Sequence, residues 1–264
     1  MTTMHLPVST PASVAALPET RTAGFAHLLL VEGRKLVDTR AGRWLLAIAV
    51  LVSVGATALG VAFFPPGDVG DLFLLAFFPL GLIVPVVAIL AATAEWSQRT
   101  GLTTFALEPR RGRVVAAKLI VSQVTGLAIT VVSTGLTYGA AGIGALTGQS
   151  WDGWGLNTGM LGGATLTLIL VMFQASAFGL VLLNTPAAVV LFFVVPQLWT
   201  TAVTFVPWLN ERASWIDLNT ATEPLMSSLD LSAHQWAQVS SATALWVLLP
   251  LTIGTWRFLR AEVK

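Results

Sequence analysis

The stretch EWSQRTGLTTFALEPRRGRVVAAK, residues 95–118, separates two long apolar runs and holds five of the fourteen Lys and Arg residues. A bilayer excludes so polar a segment, and short loops rich in Lys and Arg stay on the cytoplasmic side. Within it, Leu102, Phe105 and Ala106 have the i, i+3, i+4 spacing of an amphipathic helix. Pro109 ends that helix, because proline lacks a backbone donor and disfavours α geometry at the residue before it. We therefore predict a short helix in the cytoplasm, between two membrane spans, where a partner binds it.

Composition places the whole chain in the membrane. Of 264 residues, 55% are hydrophobic and only 10% are charged, whereas soluble domains carry roughly 25% charged residues. The chain has no cysteine, which excludes disulfides and thiolate metal sites. Its three histidines are far apart, so a histidine metal site is not expected either. These features indicate an all-α integral membrane protein.

Six apolar runs are long enough to cross a hydrocarbon core of roughly 30 Å as helices. We predict spans at about 44–64, 72–94, 119–146, 158–183, 187–206 and 233–256. Residues 1–23 are polar and lack the features of a signal peptide, which predicts a disordered tail. Residues 24–264 then form a single six-span transmembrane domain.

The distribution of cations predicts the topology. Thirteen of the fourteen Lys and Arg residues fall before the first span, between the second and third, or after the sixth, and only Arg212 falls elsewhere. By the positive-inside rule, both termini and the central loop are cytoplasmic.

The segment before the first span carries an apolar stripe broken by one acid. The stripe consists of Phe25, Leu28, Leu29, Glu32 and Leu36, with cations around it. This pattern predicts an amphipathic helix in the cytoplasmic interface, with its apolar face in lipid and its cations at the headgroups. The alternative is a basic flank that merely precedes the first span.

Three short motifs predict helix starts near the ends of the later spans. Asn184 is placed to cap the fifth span, just before a proline at its first turn. The pairs Thr220–Glu223 and Ser232–Gln235 have the spacing of capping boxes. The first pair predicts a small surface helix, and the second predicts the start of the sixth span.

Several chemistries are disfavoured by missing residues. No Gly-Lys pair occurs, so the chain has no phosphate-cradling P-loop and is not expected to be an enzyme that hydrolyses ATP. The predicted spans contain no Asp, Glu, Lys, Arg or His except His234 at one end. Ion-coupled transporters and membrane proteases usually need such residues in the membrane. Energy for any uphill transport must therefore come from a partner.

Three segments resemble bacterial ABC-2 type transporter permeases, particularly actinobacterial ones: VEGRKLVDTRAGRWLLAIAVLV (31–52), AEWSQRTGLTTFALEPRRGRVVAAKL (94–119) and WVLLPLTIGTWRFLRAEVK (246–264). The resemblance covers nearly the whole chain apart from the tail. It implies a permease subunit in the bacterial cytoplasmic membrane that exports a hydrophobic or amphipathic compound, with import as the alternative. It also implies a second permease, identical or homologous, and two ATP-binding subunits that hold ATP and Mg²⁺. This chain itself is expected to bind no cofactor.

The resemblance also implies roles by position. An amphipathic helix precedes the first span in that family, which matches Phe25 to Leu36. The family's coupling helix, which contacts the ATPase, matches 95–107 here. The residues expected to couple are Glu95, Arg99, Gly101, Leu102, Phe105 and Leu107. A simpler interpretation makes Glu95 and Arg99 a helix-end ion pair at i, i+4.

Polar residues inside the fourth and fifth spans are candidates for a weakly polar substrate path. They are Gln174, Gln197, Thr200, Thr201 and Thr204. The alternative for these positions, and for Ser176 beside them, is hydrogen bonding between helices. The competing function for the whole chain is a membrane sensor or anchoring protein that transports nothing.

Overall fold

The computed structural model describes residues 24–63 and 67–262, and every regular element within these ranges is a helix. The longer helices are α1 (Phe25–Asp38), α2 (Arg40–Phe63), α3 (Val69–Ser97), α4 (Gly101–Leu107), α5 (Arg111–Leu146), α6 (Thr158–Leu182) and α7 (Thr185–Phe205). After α7 come the short helices α8 (Pro207–Asn210), α9 (Ala213–Ile216) and α10 (Leu218–Thr222) and a 3₁₀ turn (Glu223–Met226). The last helix runs from Ala233 to Arg260 as α11 (Ala233–Thr243), a π turn (Ala244–Leu248) and α12 (Leu249–Arg260). The predicted tail, 1–23, lies outside the described residues.

Six helices are long and apolar enough to cross a membrane: α2, α3, α5, α6, α7 and the continuous helix from α11 to α12. They match the six predicted spans in number and order, which confirms a multi-pass, all-helical membrane protein. The sequence-based ends were less accurate, because several helices continue beyond the apolar runs into charged residues.

The largest difference is in the segment 95–118, most of which is helical rather than loop. Helix α3 continues to Ser97, and α5 already begins at Arg111. The early start of α5 has a packing reason: Val114, Val115 and Ala117 are buried against neighbouring helices. The polar residues of this segment therefore sit on helix ends that extend the bundle.

Helices α3, α5 and α6 form the centre of the bundle. Phe73, Leu80 and Ile89 of α3 are fully buried against Ile129 of α5 and Met172 of α6. Helices α2 and α7 and the last helix pack around this centre and expose more of their surface. Their outer faces are available to lipid or to another chain.

Small and polar residues bring the central helices together. A side chain at Gly179 of α6 would come within 2.7 Å of the Cβ of Ala92 on α3, so only glycine permits this approach. The hydroxyls of Ser122 and Ser176 lie 3.4 Å apart between α5 and α6. Each hydroxyl also lies 2.9 Å from a backbone carbonyl of its own helix, so these two serines allow a close contact between α5 and α6 while remaining hydrogen-bonded.

The short helices of residues 207–226 form a distal cap, which covers the end of the bundle opposite α4. The indole N–H groups of Trp199 and Trp246 both donate to the carbonyl of Ile216, at 3.1 and 2.8 Å. A side chain at Gly163 of α6 would collide with the carbonyl oxygen of Leu225. The distal cap is therefore fastened directly to α6, α7 and the last helix.

A buried carboxylate organises the distal cap. Asp217 accepts hydrogen bonds from the Thr200 hydroxyl (3.1 Å) and from the hydroxyl (2.7 Å) and backbone N–H (3.2 Å) of Thr220. Asp217 is thus the cap of α10, and the predicted Thr220–Glu223 capping box is wrong. The acceptor lies three residues earlier in the chain, and Thr220 is already inside the helix.

The other two predicted helix starts are confirmed. The side chain of Asn184 accepts from the N–H of Ala187 at the start of α7. Ser232 and Gln235 form the reciprocal capping box at the start of α11.

Candidate functional site

Helix α4 presents apolar side chains at the cation-rich end of the bundle. It starts at Gly101 and ends before Pro109, as predicted. Leu102 is 65% exposed and Leu107 is 77% exposed. Just before the helix, Arg99 has φ of 56°, a left-handed conformation that is uncommon for residues other than glycine. This sharp turn separates α4 from α3, and Leu102 and Leu107 remain exposed.

Phe105 faces inward and anchors α4 to the bundle. Its ring centroid lies 6.1 Å from that of Trp96 on α3 and 5.7 Å from that of Phe258 on α12. Trp96 and Phe258 are themselves in edge contact at 4.7 Å. The Phe105 ring is only partly buried in this cluster, so its expected role in a contact with a partner stays a prediction. Leu102 and Leu107 are the more exposed leucines of α4.

Arg111 joins α4 to the end of the last helix. Its guanidinium lies 4.4 Å from the centroid of the Phe105 ring, a distance suited to a cation–π interaction. The same group donates to the carbonyls of Ala261 (2.6 Å) and Leu259 (3.3 Å). The N-terminus of α5 thus contacts both α4 and the end of α12.

Glu108 ties the connection between α4 and α5 to the start of α5. Its carboxylate pairs with Arg113 at 2.7 Å and accepts from the backbone N–H of Arg110 at 3.3 Å. The Arg113 guanidinium also lies 5.9 Å from the ring centroid of Phe25 at the start of α1. These contacts restrict how far α4 can move from α5 and α1.

Four charged side chains meet where α1, α3 and α5 pack together, and we call them the ion-pair cluster: Glu32, Lys35, Glu95 and Lys118. The Lys118 amine lies 2.8 Å from Glu32 and 2.9 Å from Glu95. The Lys35 amine lies 2.6 Å from Glu32 and 3.2 Å from Glu95. Two acids and two bases make the cluster neutral as a whole.

Lys118 is the centre of the cluster. Its side chain is 3% exposed, and its third donor reaches the carbonyl of Ala91 at 2.8 Å, so all three ammonium hydrogens have acceptors. The Glu95 side chain is fully buried, and its second carboxylate oxygen has no hydrogen-bond partner among the described residues. Removing one partner from such a buried pair typically costs about 3–5 kcal/mol, because an uncompensated charge is left behind.

Lys35 lies at the edge of the cluster, with its side chain 32% exposed. Burial alone would lower the pKa of Lys35, but the hydrogen bond and charge of Glu32, followed by the charge of Glu95, raise it above its ordinary value. The ammonium form is therefore favoured throughout the neutral range.

The cluster replaces the ion pair suggested by the sequence. Glu95 pairs with Lys35 and Lys118 rather than with Arg99, and Arg99 lies beyond the end of α3 at Ser97, where the helical i, i+4 geometry no longer applies.

The stripe on α1 packs mainly against protein. Leu28, Glu32 and Leu36 are buried against α3 and α5, so the expectation that these positions face lipid is wrong. Phe25 and Leu29 are partly buried and pack against the same group of side chains as Leu28. The predicted helical spacing of the stripe is correct, but its buried side is covered by α3 and α5, which continue beyond the predicted spans.

The five candidate path residues do not share one surface of this chain. Gln174 is buried on α6. Gln197, Thr201 and Thr204 are exposed on α7. Thr200 is half-buried and contacts the distal cap through Asp217 and Asn219.

The ion-pair cluster was missed by sequence reasoning, although its members left a signal. Glu32 interrupts an apolar stripe, and Glu95 and Lys118 lie at the ends of apolar runs. Counting charges only inside the predicted spans excluded both of the latter residues.

No known protein family matches the chain by its sequence profile. No curated protein matches its sequence either.

Proposed function

We propose that this chain is the membrane-spanning permease of an ATP-driven transporter of the ABC-2 type. In this proposal a separate ATP-binding subunit docks on α4, and the helices carry a hydrophobic or amphipathic compound outward across the bacterial cytoplasmic membrane. ATP and Mg²⁺ would be held by that subunit, and a second permease, identical or homologous, would complete the pathway.

The observation that carries the proposal is the construction around α4. The helix exposes Leu102 and Leu107, while Phe105, Glu108 and Arg111 fasten its flanks to α3, α5 and the last helix. Apolar anchors on a helix are a common means of docking into a groove of a partner. Because α4 is fastened, a displacement imposed on it would be passed to three membrane helices.

The proposed orientation places α4, α1 and both termini in the cytoplasm. Arg111, Arg113 and Lys118 lie at the end of the bundle that carries α4, whereas Arg212 lies in the distal cap. The positive-inside rule favours this orientation.

The orientation can be tested with single cysteines, since the native chain has none. We expect an impermeant thiol reagent to label a cysteine at Asn219 in intact cells and one at Gly101 only after the membrane is opened. Labelling at Gly101 from outside would overturn the orientation.

A docking experiment tests the function. The permease would be reconstituted in nanodiscs with the P-loop ATP-binding subunit that copurifies with it from its native membrane, and both association and ATP hydrolysis would be measured. Leu107→Ser and Leu102→Ser should each weaken association on the order of tenfold, because burying an exposed leucine in a partner's groove contributes about 1.5–3 kcal/mol and about 1.4 kcal/mol corresponds to a factor of ten. Hydrolysis coupled to the permease should fall in parallel.

Leu146→Ser is the matched control, because Leu146 is even more exposed than either α4 leucine but lies at the distal end of α5. It should leave association unchanged. If association and hydrolysis do not respond to either α4 variant, the proposal fails and a non-transporting membrane sensor or anchor is favoured.

The exposed polar face of α7 supports pairing with a second permease. Gln197, Thr201 and Thr204 recur at i, i+4, i+7 and point away from this chain's own core. The hydroxyls of Thr201 and Thr204 bond backbone carbonyls one turn earlier, at 2.7 and 2.8 Å. A face that is weakly polar but internally satisfied suits a path between two permeases.

A further inference from the structure

A long apolar groove lies on a different face of α1 from the ion-pair cluster. It has a volume of about 830 Å³ and runs between α1, the start of α2 and the first half of α5. Its walls include Leu29, Leu30 and Gly33 of α1, Leu46 of α2, and Val124 and Val132 of α5. Leu30 and Val124 are well exposed, so the groove is open to its surroundings.

The groove has the depth of one leaflet. Along α5 its lining extends from Ile120 to Val132, about 18 Å at 1.5 Å per residue. One leaflet contributes roughly 15 Å of a hydrocarbon core about 30 Å thick. The α5 helix carries no charged residue after Lys118, so this stretch is suited to hydrocarbon.

One cation lines the groove, at the end nearest the charged residues. A side chain added at Gly33 would lie 4.0 Å from Val121 of α5, so this part of α1 packs beside that part of α5. Arg34, the next residue, therefore lies near the end of the groove that is lined by Ile120. Among the described residues the Arg34 guanidinium makes no hydrogen bond or ion pair, whereas Glu32 and Lys35 are already paired within the cluster. An apolar trough with an unpaired guanidinium at one end matches an anionic amphiphile.

We propose that this groove binds one anionic phospholipid from the leaflet at the charged end of the bundle. Its phosphate lies on Arg34, and one acyl chain follows the groove toward Val132. Guanidinium is the side-chain group best suited to phosphate, because its fork of donors bonds two oxygens at once. Basic pockets between helices at the cytoplasmic face are known to recognise lipid headgroups. The site does not depend on transport activity.

Native mass spectrometry of the full-length protein tests the site. Delipidated protein would be mixed with dioleoyl phosphatidylglycerol or dioleoyl phosphatidylcholine, which differ only in the headgroup. We expect the wild type to retain one phosphatidylglycerol in preference to phosphatidylcholine. Arg34→Gln should lower phosphatidylglycerol occupancy about tenfold, because a charged hydrogen-bond partner is lost, and should leave phosphatidylcholine unchanged.

Two further variants separate the headgroup from the groove. Arg257→Gln removes an exposed cation at the same end of the bundle but outside the groove, and it should change neither lipid. Gly33→Leu fills the groove and should lower the occupancy of both lipids. Equal retention of the two lipids by the wild type, or an Arg34→Gln variant with the wild-type preference, would refute the site. A third outcome would also refute the site. If Gly33→Leu converts a dimer to a monomer and leaves lipid occupancy unchanged, the groove of the wild type is covered by a second copy of the chain and not by a lipid.

Discussion

The two ends of the bundle bury carboxylates in different ways. At the charged end, Glu32 and Glu95 are neutralised by two lysines, and Glu32 and Lys118 are 86 residues apart in the chain. In the distal cap, Asp217 is satisfied by hydroxyls and a backbone N–H, and its partner on α7 is only 17 residues away. At the charged end, the ion pairs of Lys118 thus connect helices that are far apart in the chain. In the distal cap, the hydrogen bonds of Asp217, which has no counter-charge among the described residues, connect segments that are close in the chain.

This difference predicts different sensitivities. A buried charge that loses its counter-charge is far more costly than a carboxylate that loses one hydrogen bond. The charged end should therefore tolerate little change, whereas the distal cap should weaken gradually.

The largest effect should come from Lys118→Met. This change leaves two buried carboxylates near each other with only Lys35 as a counter-charge, and we expect a loss of about 3–5 kcal/mol. The thermal midpoint of the detergent-solubilised protein would measure it. Adding Glu32→Gln should recover part of the loss, because the cluster becomes neutral again. A double variant less stable than Lys118→Met alone would show that the charges are not coupled.

An intermediate effect is expected from Asp217→Asn in the distal cap. The Asn side chain keeps one oxygen as an acceptor, but its NH₂ group replaces the other oxygen and faces a donor group of Thr200 or Thr220. The loss of that hydrogen bond should lower the free energy of unfolding by about 1–3 kcal/mol. The same thermal assay applies. If this variant lost as much as Lys118→Met, the contrast between the two ends would be refuted.

The smallest effect should come from Lys35→Gln, because this side chain is 32% exposed and water screens its pairs. We expect about 1 kcal/mol or less. The raised pKa of Lys35 has a definite sign: its stabilisation is fully present below the unfolded pKa of about 10.4 and is lost as pH rises through the still higher folded value. The difference between wild type and variant should therefore be constant from pH 7 to 9. A difference that disappears by pH 9 would contradict the assigned pairing.

The sequence predicted the helices better than their contacts. Apolar runs located all six spanning helices, and Pro109 located the end of α4. Hydropathy could not show that α5 extends into the charged segment. Its start depends on the burial of Val114 and Val115 against other helices, which the local sequence does not reveal. Nor could spacing show that Phe105 turns inward while Leu107 stays exposed, since a seven-residue helix is too short for its periodicity to select a face.

The same limit applies to the charges. Glu32, Glu95 and Lys118 come from three segments, and their meeting depends on how three helices pack. A lone acid inside an apolar stripe, such as Glu32, is the one local sign that a buried counter-charge exists elsewhere.

The length of α5 has a mechanical consequence. Its 36 residues extend about 54 Å, well beyond a hydrocarbon core of roughly 30 Å. A rigid rod that pivots near its distal end moves most at its opposite tip, and that tip carries Arg111, which grips Phe105 and the carbonyl of Ala261. A small tilt of α5 within the membrane would therefore either move α4 and the end of α12 together or break these contacts. Its length thus connects the distal end of the bundle directly to the surface that carries α4.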